Sequence, residues 1–338
     1  MRYWLIILCM FCFGAAGSDD YAGGMALFRQ EKYSEALKQL QSAHLAGEER
    51  AALPLAYLYD NGLGTPRNLP LAVKYYEYAA LSGNTAAMRR LSEILFTQQK
   101  NDQAVQWLER AATAGDLPAM RKLGAWYMRR RNFQRAQLWL EKASATGDGE
   151  AWRMLGELYM HRNQDESALN AFKKAVKNND IAAMESLGNL YLRRKEFIPA
   201  LEWFERAAAA GNPQALTSLG MFYLDGKGGK VDYAKARLWL EKAEKFNLFS
   251  RYRLALLYYE GKGGPQDYEK ARVLLESCAG QVDLAKYYLG LIYYYGYGIK
   301  PDLEKARILF QQATDLGLQP EAADMLRKIR QKEAAANE

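Results

Sequence analysis

The sequence predicts an all-α chain: an α/α superhelical solenoid of about nine helix-turn-helix repeats, closed by a C-terminal capping helix. Three observations carry this. A leucine recurs at 55, 91, 123, 155, 187, 219, 254 and 289, in steps of 36, 32, 32, 32, 32, 35 and 35 residues. An alanine recurs at 36, 72, 104, 136, 168, 200, 236, 271 and 306, the first eight standing 18 or 19 residues before the next leucine. The composition is helical, with nine prolines in 338 residues, 49% hydrophobic content and almost no β-branched runs.

Each repeat reads as two helices, A carrying the leucine and B carrying the alanine. From leucine to alanine is 13 residues in four repeats and 17 in the other four, so the length variation is a four-residue insertion in the A–B turn. A small residue follows each leucine (Ala56, Ser92, Gly124, Gly156, Gly188, Gly220, Ala255, Gly290), and a tyrosine stands four residues after it, with Leu95 the one substitute. Leucine at i and tyrosine at i+4 share a face of helix A, and the small residue between them admits helix B closely. Glycine inside a helix costs about 1 kcal/mol against alanine, so its recurrence requires a packing gain. On helix B, aromatics three residues after the alanine (Tyr75, Trp107, Trp139, Trp203, Trp239) and Leu or Phe four after it are expected in the core.

Repeats end on a glycine or asparagine followed by a capping residue: Gly83-Asn84, Gly115-Asp116, Gly147-Asp148, Asn179-Asp180, Gly211-Asn212. The first residue of each pair takes the left-handed conformation that stops helix B, and the second caps the next helix A. The first repeat is degraded, with Gly23-Gly24 where the leucine and its small neighbour would stand, as suits a terminal cap. From Pro320 to Lys332 a closing helix with a charged outer face is expected.

The N-terminal MRYWLIILCMFCFGAAG has one positive charge at Arg2, an apolar run from Tyr3 to Phe13 and small residues at Ala15 and Gly17. This predicts a secretory signal over residues 1–17, too short to span a bilayer. The repeats then occupy 18–317 and the capping helix and tail 318–338. A lipid anchor through Cys9 or Cys12 competes, but bulky Leu8 and Phe11 precede those cysteines, where lipoprotein processing requires small residues. Export predicts a periplasmic protein; secretion and membrane association are the alternatives. The balance of 46 Lys and Arg against 39 Asp and Glu is modestly basic with mixed signs, which argues against a nucleic-acid binder.

The stretches LGMFYLDGKGGKVDYAKARLWLEKA (219–243) and LGLIYYYGYGIKPDLEKARILFQQA (289–313) resemble Sel1-like repeats, a branch of the tetratricopeptide-type solenoids. The specific part is a glycine-bearing turn followed by D-x-x-K-A. Middle repeats such as LGAWYMRRRNFQRAQLWLEKA (123–143) lack the insertion and have tetratricopeptide-like spacing. Cysteine-rich members of that family staple their repeats with paired cysteines. Here Cys278 is alone after export, and it sits in an alanine slot, seven residues after the repeat alanine, as do Ala243 and Ala313. It is expected to pack as a small buried hydrophobe, with intermolecular pairing the alternative.

No catalytic chemistry is expected. His44 and His161 are far apart and lack cysteines at ligand spacing, and no G-x-S-x-G, H-E-x-x-H or phosphate-cradling glycine loop is present. The sequence implies no cofactor and no metal site. The resemblance implies that the A helices line a concave side, with exposed positions two before the leucine and two, five and six after it. Carried over, these offsets nominate Arg89, Arg121, Arg153, Arg129, His161 and Arg193 as a basic stretch. They nominate Tyr252, Tyr259, Tyr287, Tyr294 and Tyr295 as a tyrosine-rich one. Arginines at A-helix C-termini also offset the helix dipole, and tyrosines also pack between repeats, so a structural role stands beside the binding role at each position. The expected function is a non-catalytic protein–protein interaction scaffold in the bacterial envelope, holding an acidic protein surface or peptide in the groove. The alternative is recognition of an acidic polysaccharide or cell-wall glycan, supporting polymer secretion.

Overall fold

The computed structural model describes residues 19–315 and 321–336; the expected signal segment, with Cys9 and Cys12, lies outside the described residues. Among the described residues every regular element is helical. The residues up to Leu158 form one compact unit and those from Tyr159 a second.

The first unit holds α1 (19–29), α2 (Tyr33–Leu45), a 3-10 turn (Glu49–Ala51), α3 (Ala52–Asn61), α4 (Leu69–Leu81), α5 (Thr85–Thr97), α6 (Asn101–Thr113), α7 (Leu117–Arg129), α8 (Phe133–Ser144) and most of α9 (Gly149–His161). The second holds the end of α9, then α10 (Asp165–Lys177), α11 (Ala182–Arg193), α12 (Phe197–Ala209), α13 (Pro213–Leu224), α14 (Tyr233–Ala243) and α15 (Leu248–Glu260). It continues with α16 (Tyr268–Cys278), α17 (Leu284–Tyr295), α18 (Leu303–Asp315) and α19 (Glu321–Ala336). Odd-numbered helices up to α17 are the A helices, even-numbered ones up to α18 the B helices, and α19 is the closing helix.

The anchors form the core. All nine repeat alanines are fully buried, and the eight leucines are at most 4% exposed. The small residue after the leucine explains how closely A and B pack. A Cβ on Gly124 would stand 2.5 Å from Leu140, and one on Gly188 2.5 Å from Phe204, each the residue four after the repeat alanine. Gly24 does the same against Leu40, so the degraded first repeat keeps the close approach. The recurring tyrosine has a polar reason as well. The Tyr127, Tyr258 and Tyr293 hydroxyls donate to Glu109, Glu241 and Glu276 at 2.7, 2.9 and 2.6 Å, each acid lying five residues after the preceding repeat's alanine. A buried ring body with its hydroxyl bonded across the repeat joint favours Tyr over Phe.

The caps match the sequence. Gly83, Gly115, Gly147, Asn179 and Gly211 have positive φ, and Asn84, Asp116, Asp148, Asp180 and Asn212 accept from backbone amides of the helix they open. The two turn classes differ. The tight turns place one non-glycine residue in the left-handed region at fixed register: Glu31, Gln99, Arg131, Asn163 and Lys195. In two of the inserted turns a glycine rests on the preceding repeat: a Cβ on Gly64 would stand 2.4 Å from the Ser34 nitrogen, and one on Gly263 2.2 Å from the Tyr233 oxygen. At Gly64 and Gly263 the insertion staples consecutive repeats.

Cys278 is 1% exposed in its alanine slot; its thiol donates to the Leu275 carbonyl at 3.5 Å, and burial pushes its pKa up. The helix-B tryptophans at 107, 203 and 239 are only half-buried. A cation one turn later covers each ring: Arg110 at 4.7 Å, Arg206 at 4.0 Å and Lys242 at 4.4 Å.

Candidate interaction face

In the first unit the nominated arginines are clasps. Arg89 on α5 reaches Asp116, the cap of α7, at 3.7 Å, and Arg121 on α7 reaches Asp148, the residue opening α9, at 2.7 Å and Glu150 at 3.0 Å. Arg153 pairs with Glu150 at 3.8 Å and Glu157 at 2.6 Å. Two of them thus bind a helix-opening acid one repeat on, and all three are paired with carboxylates. The nominated Arg129 differs: it is exposed and makes no ion pair among the described residues.

In the second unit His161 is exposed at the end of α9. Arg193 pairs with Asp165 and donates to the Met160 carbonyl at 3.1 Å. Two tyrosines nominated as exposed are buried, Tyr252 at 4% and Tyr294 at 6% exposure. The element that follows covers each: Tyr252 lies against Tyr288 of the next repeat, and Tyr294 is sealed within the cluster that the closing helix α19 completes through Met325, Leu326 and Ile329. Tyr259 is half-buried, edge-on to Tyr268, Tyr288 and Tyr297 at 5.4, 5.7 and 6.0 Å. Burial, aided by the neighbouring phenols, pushes its pKa up. Tyr287 is half-buried beside Phe310. Tyr295 alone of the five is exposed, at 47%, stacked on Tyr297 at 5.2 Å.

Two concave features on the A helices of the first unit were missed by sequence reasoning. A pocket of about 840 Å³ between α1, α3 and α5 is walled by Tyr21, Phe28, Tyr33 and Tyr57, with Asp60 and Arg90 among its polar residues. A second, of about 600 Å³ between α5 and α7, is lined by Phe96 and Trp126 and bordered by Glu93, Lys122, Arg129 and Arg130.

Both are linked by one charge relay. The Arg90 guanidinium donates through Nε and Nη2 to Asp60 Oδ2 at 2.8 and 2.6 Å, and through Nη1 to Glu93 at 3.1 Å. Glu93 in turn pairs with Lys122 of α7. Burial works against the charge on Arg90, but its bonds to Asp60 and Glu93 prevail and hold it more firmly protonated. Burial likewise acts to raise Glu93, but hydrogen bonds from Lys122 and Arg90 prevail and hold its carboxyl below the usual range.

Asp60 is the anomaly. It is 3% exposed, bonded also by Arg67 and by the Tyr76 hydroxyl at 3.4 Å each. Burial, then the Asp60 charge, pushes the Tyr76 phenol up to about 12. Asp60 stands five residues after its leucine, where the other repeats carry Phe96, Met128, Met160, Leu192, Leu224, Tyr259 and Tyr294. The sequence held this signal: applied to Leu55, the offset rule names Leu53, Tyr57, Asp60 and Asn61.

Among the described residues no group of three or more His, Cys, Asp or Glu is placed to hold a metal ion, and no helix is long and apolar enough to cross a membrane.

The family model for the Sel1 repeat matches residues 50–84, 85–116, 213–245, 249–279 and 283–318, and that for the tetratricopeptide repeat matches 123–180 and 166–215. Among solved structures, a Sel1 repeat protein from Oxalobacter formigenes is similar at 25% identity and TM-score 0.69, over 90% of this chain and 93% of that one. A protective antigen present in uropathogenic Escherichia coli strains, with an SLR fold, is similar at 22% identity and TM-score 0.54, over 94% of this chain and 80% of that one. Yeast Tom70 shares the fold at 16% identity and TM-score 0.53, over 94% of this chain and 65% of its own. No curated protein matches the sequence.

Proposed function

This chain is a Sel1-like repeat protein with tetratricopeptide-type repeats in its middle, and we propose that it is a non-catalytic scaffold of the bacterial envelope that holds a partner protein on the A-helix face of its first unit. Repeat proteins of this class bind other proteins. The observation that carries the site is the pair of neighbouring pockets on α3, α5 and α7, linked by the Asp60–Arg90–Glu93–Lys122 relay. Salt-bridged polar groups leave such a surface rigid, and aromatic-lined recesses are where interface energy concentrates. The signal-like residues 1–17 support export to the periplasm.

The partner is acidic where it meets the α5–α7 pocket. Lys122, Arg129 and Arg130 outnumber Glu93 there, and Arg129 is not compensated within the described residues. Trp126 stacks under Arg130 at 4.8 Å and supplies the apolar wall. An acidic side chain beside an aliphatic or aromatic one fits that combination, with the cations steering approach.

A photo-crosslinking amino acid placed at Phe96 in living cells is expected to capture a protein of one size, and the same probe at Leu138, exposed on α8, is expected not to. Trp126→Ala is expected to abolish the capture while leaving far-UV circular dichroism unchanged. Equal capture from both positions, or from neither, would remove this reading. Salt-sensitive retention of the purified protein on an immobilised acidic polysaccharide, with no protein captured, would replace it by the glycan alternative.

A further inference from the structure

We infer that the pocket between α1, α3 and α5 is a recognition site for an aromatic side chain of a partner polypeptide, its ring stacked on the guanidinium of Arg90, with an acidic residue beside it. This deepens the reading of the first-unit face as a protein-binding surface and rests on it.

The inference begins at Asp60. The fold has no use for a carboxylate at that register, since seven other repeats fill it with apolar side chains. Burying a charge is costly unless it is paired, and an apolar residue of similar volume there would serve packing as well or better. What Asp60 does is hold Arg90. Two bonds from Nε and Nη2 fix the plane of the guanidinium, and Glu93 takes the third nitrogen. The edges of the group are occupied by the protein, yet Arg90 remains 42% exposed at its side chain and lines the pocket. A guanidinium with committed edges offers its flat face, and the preferred occupant of that face is an aromatic ring.

The walls agree. Phe28 packs edge-on to Tyr33 at 5.6 Å and to Tyr57 at 5.8 Å, which makes a box of rings suited to a further ring in edge or offset contact. Tyr57 is 46% exposed, more than packing between helices requires of it. The rim sets the neighbouring residue: Arg50, held by Glu48 at 2.7 and 2.8 Å, keeps a 63% exposed side chain at the pocket, within reach of an anion placed next to the ring. A basic flank would set like charges against Arg50 and Arg90. A cation in the box is disfavoured, because Arg67 and Arg90 already neutralise Asp60.

The test uses the purified protein and dye-labelled heptapeptides read by fluorescence anisotropy: Gly-Ser-Asp-Phe-Asp-Ser-Gly, the same sequence with Leu for Phe, and the same with Lys for both Asp. The Phe–Asp peptide is expected to bind at least about ten-fold more tightly than either of the others. Tyr57→Ala and Asp60→Asn each weaken it by about ten-fold or more, whereas Trp126→Ala changes it by less than about two-fold. Tyr57→Ala alters an exposed ring and is expected to fold normally, which keeps the test valid should Asp60→Asn destabilise the chain. Equal affinity for the Leu peptide, undiminished binding by Tyr57→Ala, equal loss in Trp126→Ala, or no binding up to about 1 mM would each overturn the inference. Failure here with crosslinking from Phe96 intact would leave the scaffold reading standing on the α5–α7 pocket alone.

Discussion

Helices α5, α7 and α9 of the first unit carry arginine two residues before the repeat leucine, where α15 and α17 of the second carry Tyr252 and Tyr287, and α17 adds Tyr294 five residues after it; the two residue types meet different fates. The arginines stay near the surface and turn to an acid at the start of a neighbouring helix. Tyr252 and Tyr294 are swallowed by the following repeat or the closing helix. A long charged side chain can satisfy itself by reaching along the surface, whereas a ring is stabilised only where something covers it. Register fixes where a side chain starts, and the neighbouring repeat decides where it ends.

Truncating the covered rings breaks the second half of that contrast most severely. Tyr294→Ala and Tyr252→Ala are each expected to lower stability by about 3–5 kcal/mol, as for other large buried aromatics. Tyr295→Ala is expected to cost less than about 1 kcal/mol, because that ring is half in solvent. Urea denaturation followed by circular dichroism resolves the difference; similar midpoints for Tyr294→Ala and Tyr295→Ala would return Tyr294 to the surface.

Asp60 separates stability from recognition. Asp60→Ala empties a buried, paired site and is expected to cost about 3 kcal/mol. Asp60→Leu together with Arg90→Met replaces both charges of the pair by apolar side chains and is expected to lie within about 1 kcal/mol of the parent. Should the double variant prove as unstable as the Ala variant, the charged pair would be a folding requirement.

The arginine clasps give the smaller effects. Arg121→Ala is expected to cost about 1 kcal/mol or less, since its two ion pairs are partly solvated. The relay adds a shallow pH dependence. The folded-state pKa of Glu93 is depressed, so its contribution is fully present above the ordinary value of 4.5 and is lost as pH falls through the lower folded value. Glu93→Gln is therefore expected to flatten the loss of stability on the acid side of pH 4.5 and to leave the neutral region nearly parallel to the parent.

Much of the molecule was legible in the sequence because it is written locally. The leucine and alanine periods, the left-handed stop followed by a cap, and the alanine slot of Cys278 all depend on residues within one repeat. The tightness at Gly124 and Gly188 was legible for the same reason, as a glycine where a helix would otherwise prefer alanine. The partners of Arg89 and Arg121 were not, because Asp116 and Asp148 were already accounted for as caps and nothing local says that a cap also closes an ion pair one repeat away. The burial of Tyr294 depends on α19, whose seat no repeat period reports. Asp60 was readable as the lone acid in an otherwise apolar column, but only by comparing one register across all eight leucine-anchored repeats. The inserted turns show the same limit: glycine was expected there as a turn former, while its contact with the preceding repeat at Ser34 or Tyr233 is a tertiary fact.

The most direct measurement is the affinity of the protein captured from Phe96 for two double variants. Tyr57→Ala with Trp126→Ala, which strips the two first-unit pockets, is expected to weaken binding by at least about 100-fold. Arg193→Glu with Tyr295→Ala, which alters exposed residues of the second unit, is expected to leave it within about three-fold. Strong loss in the second pair with little change in the first would contradict the assignment of partner binding to the first-unit face.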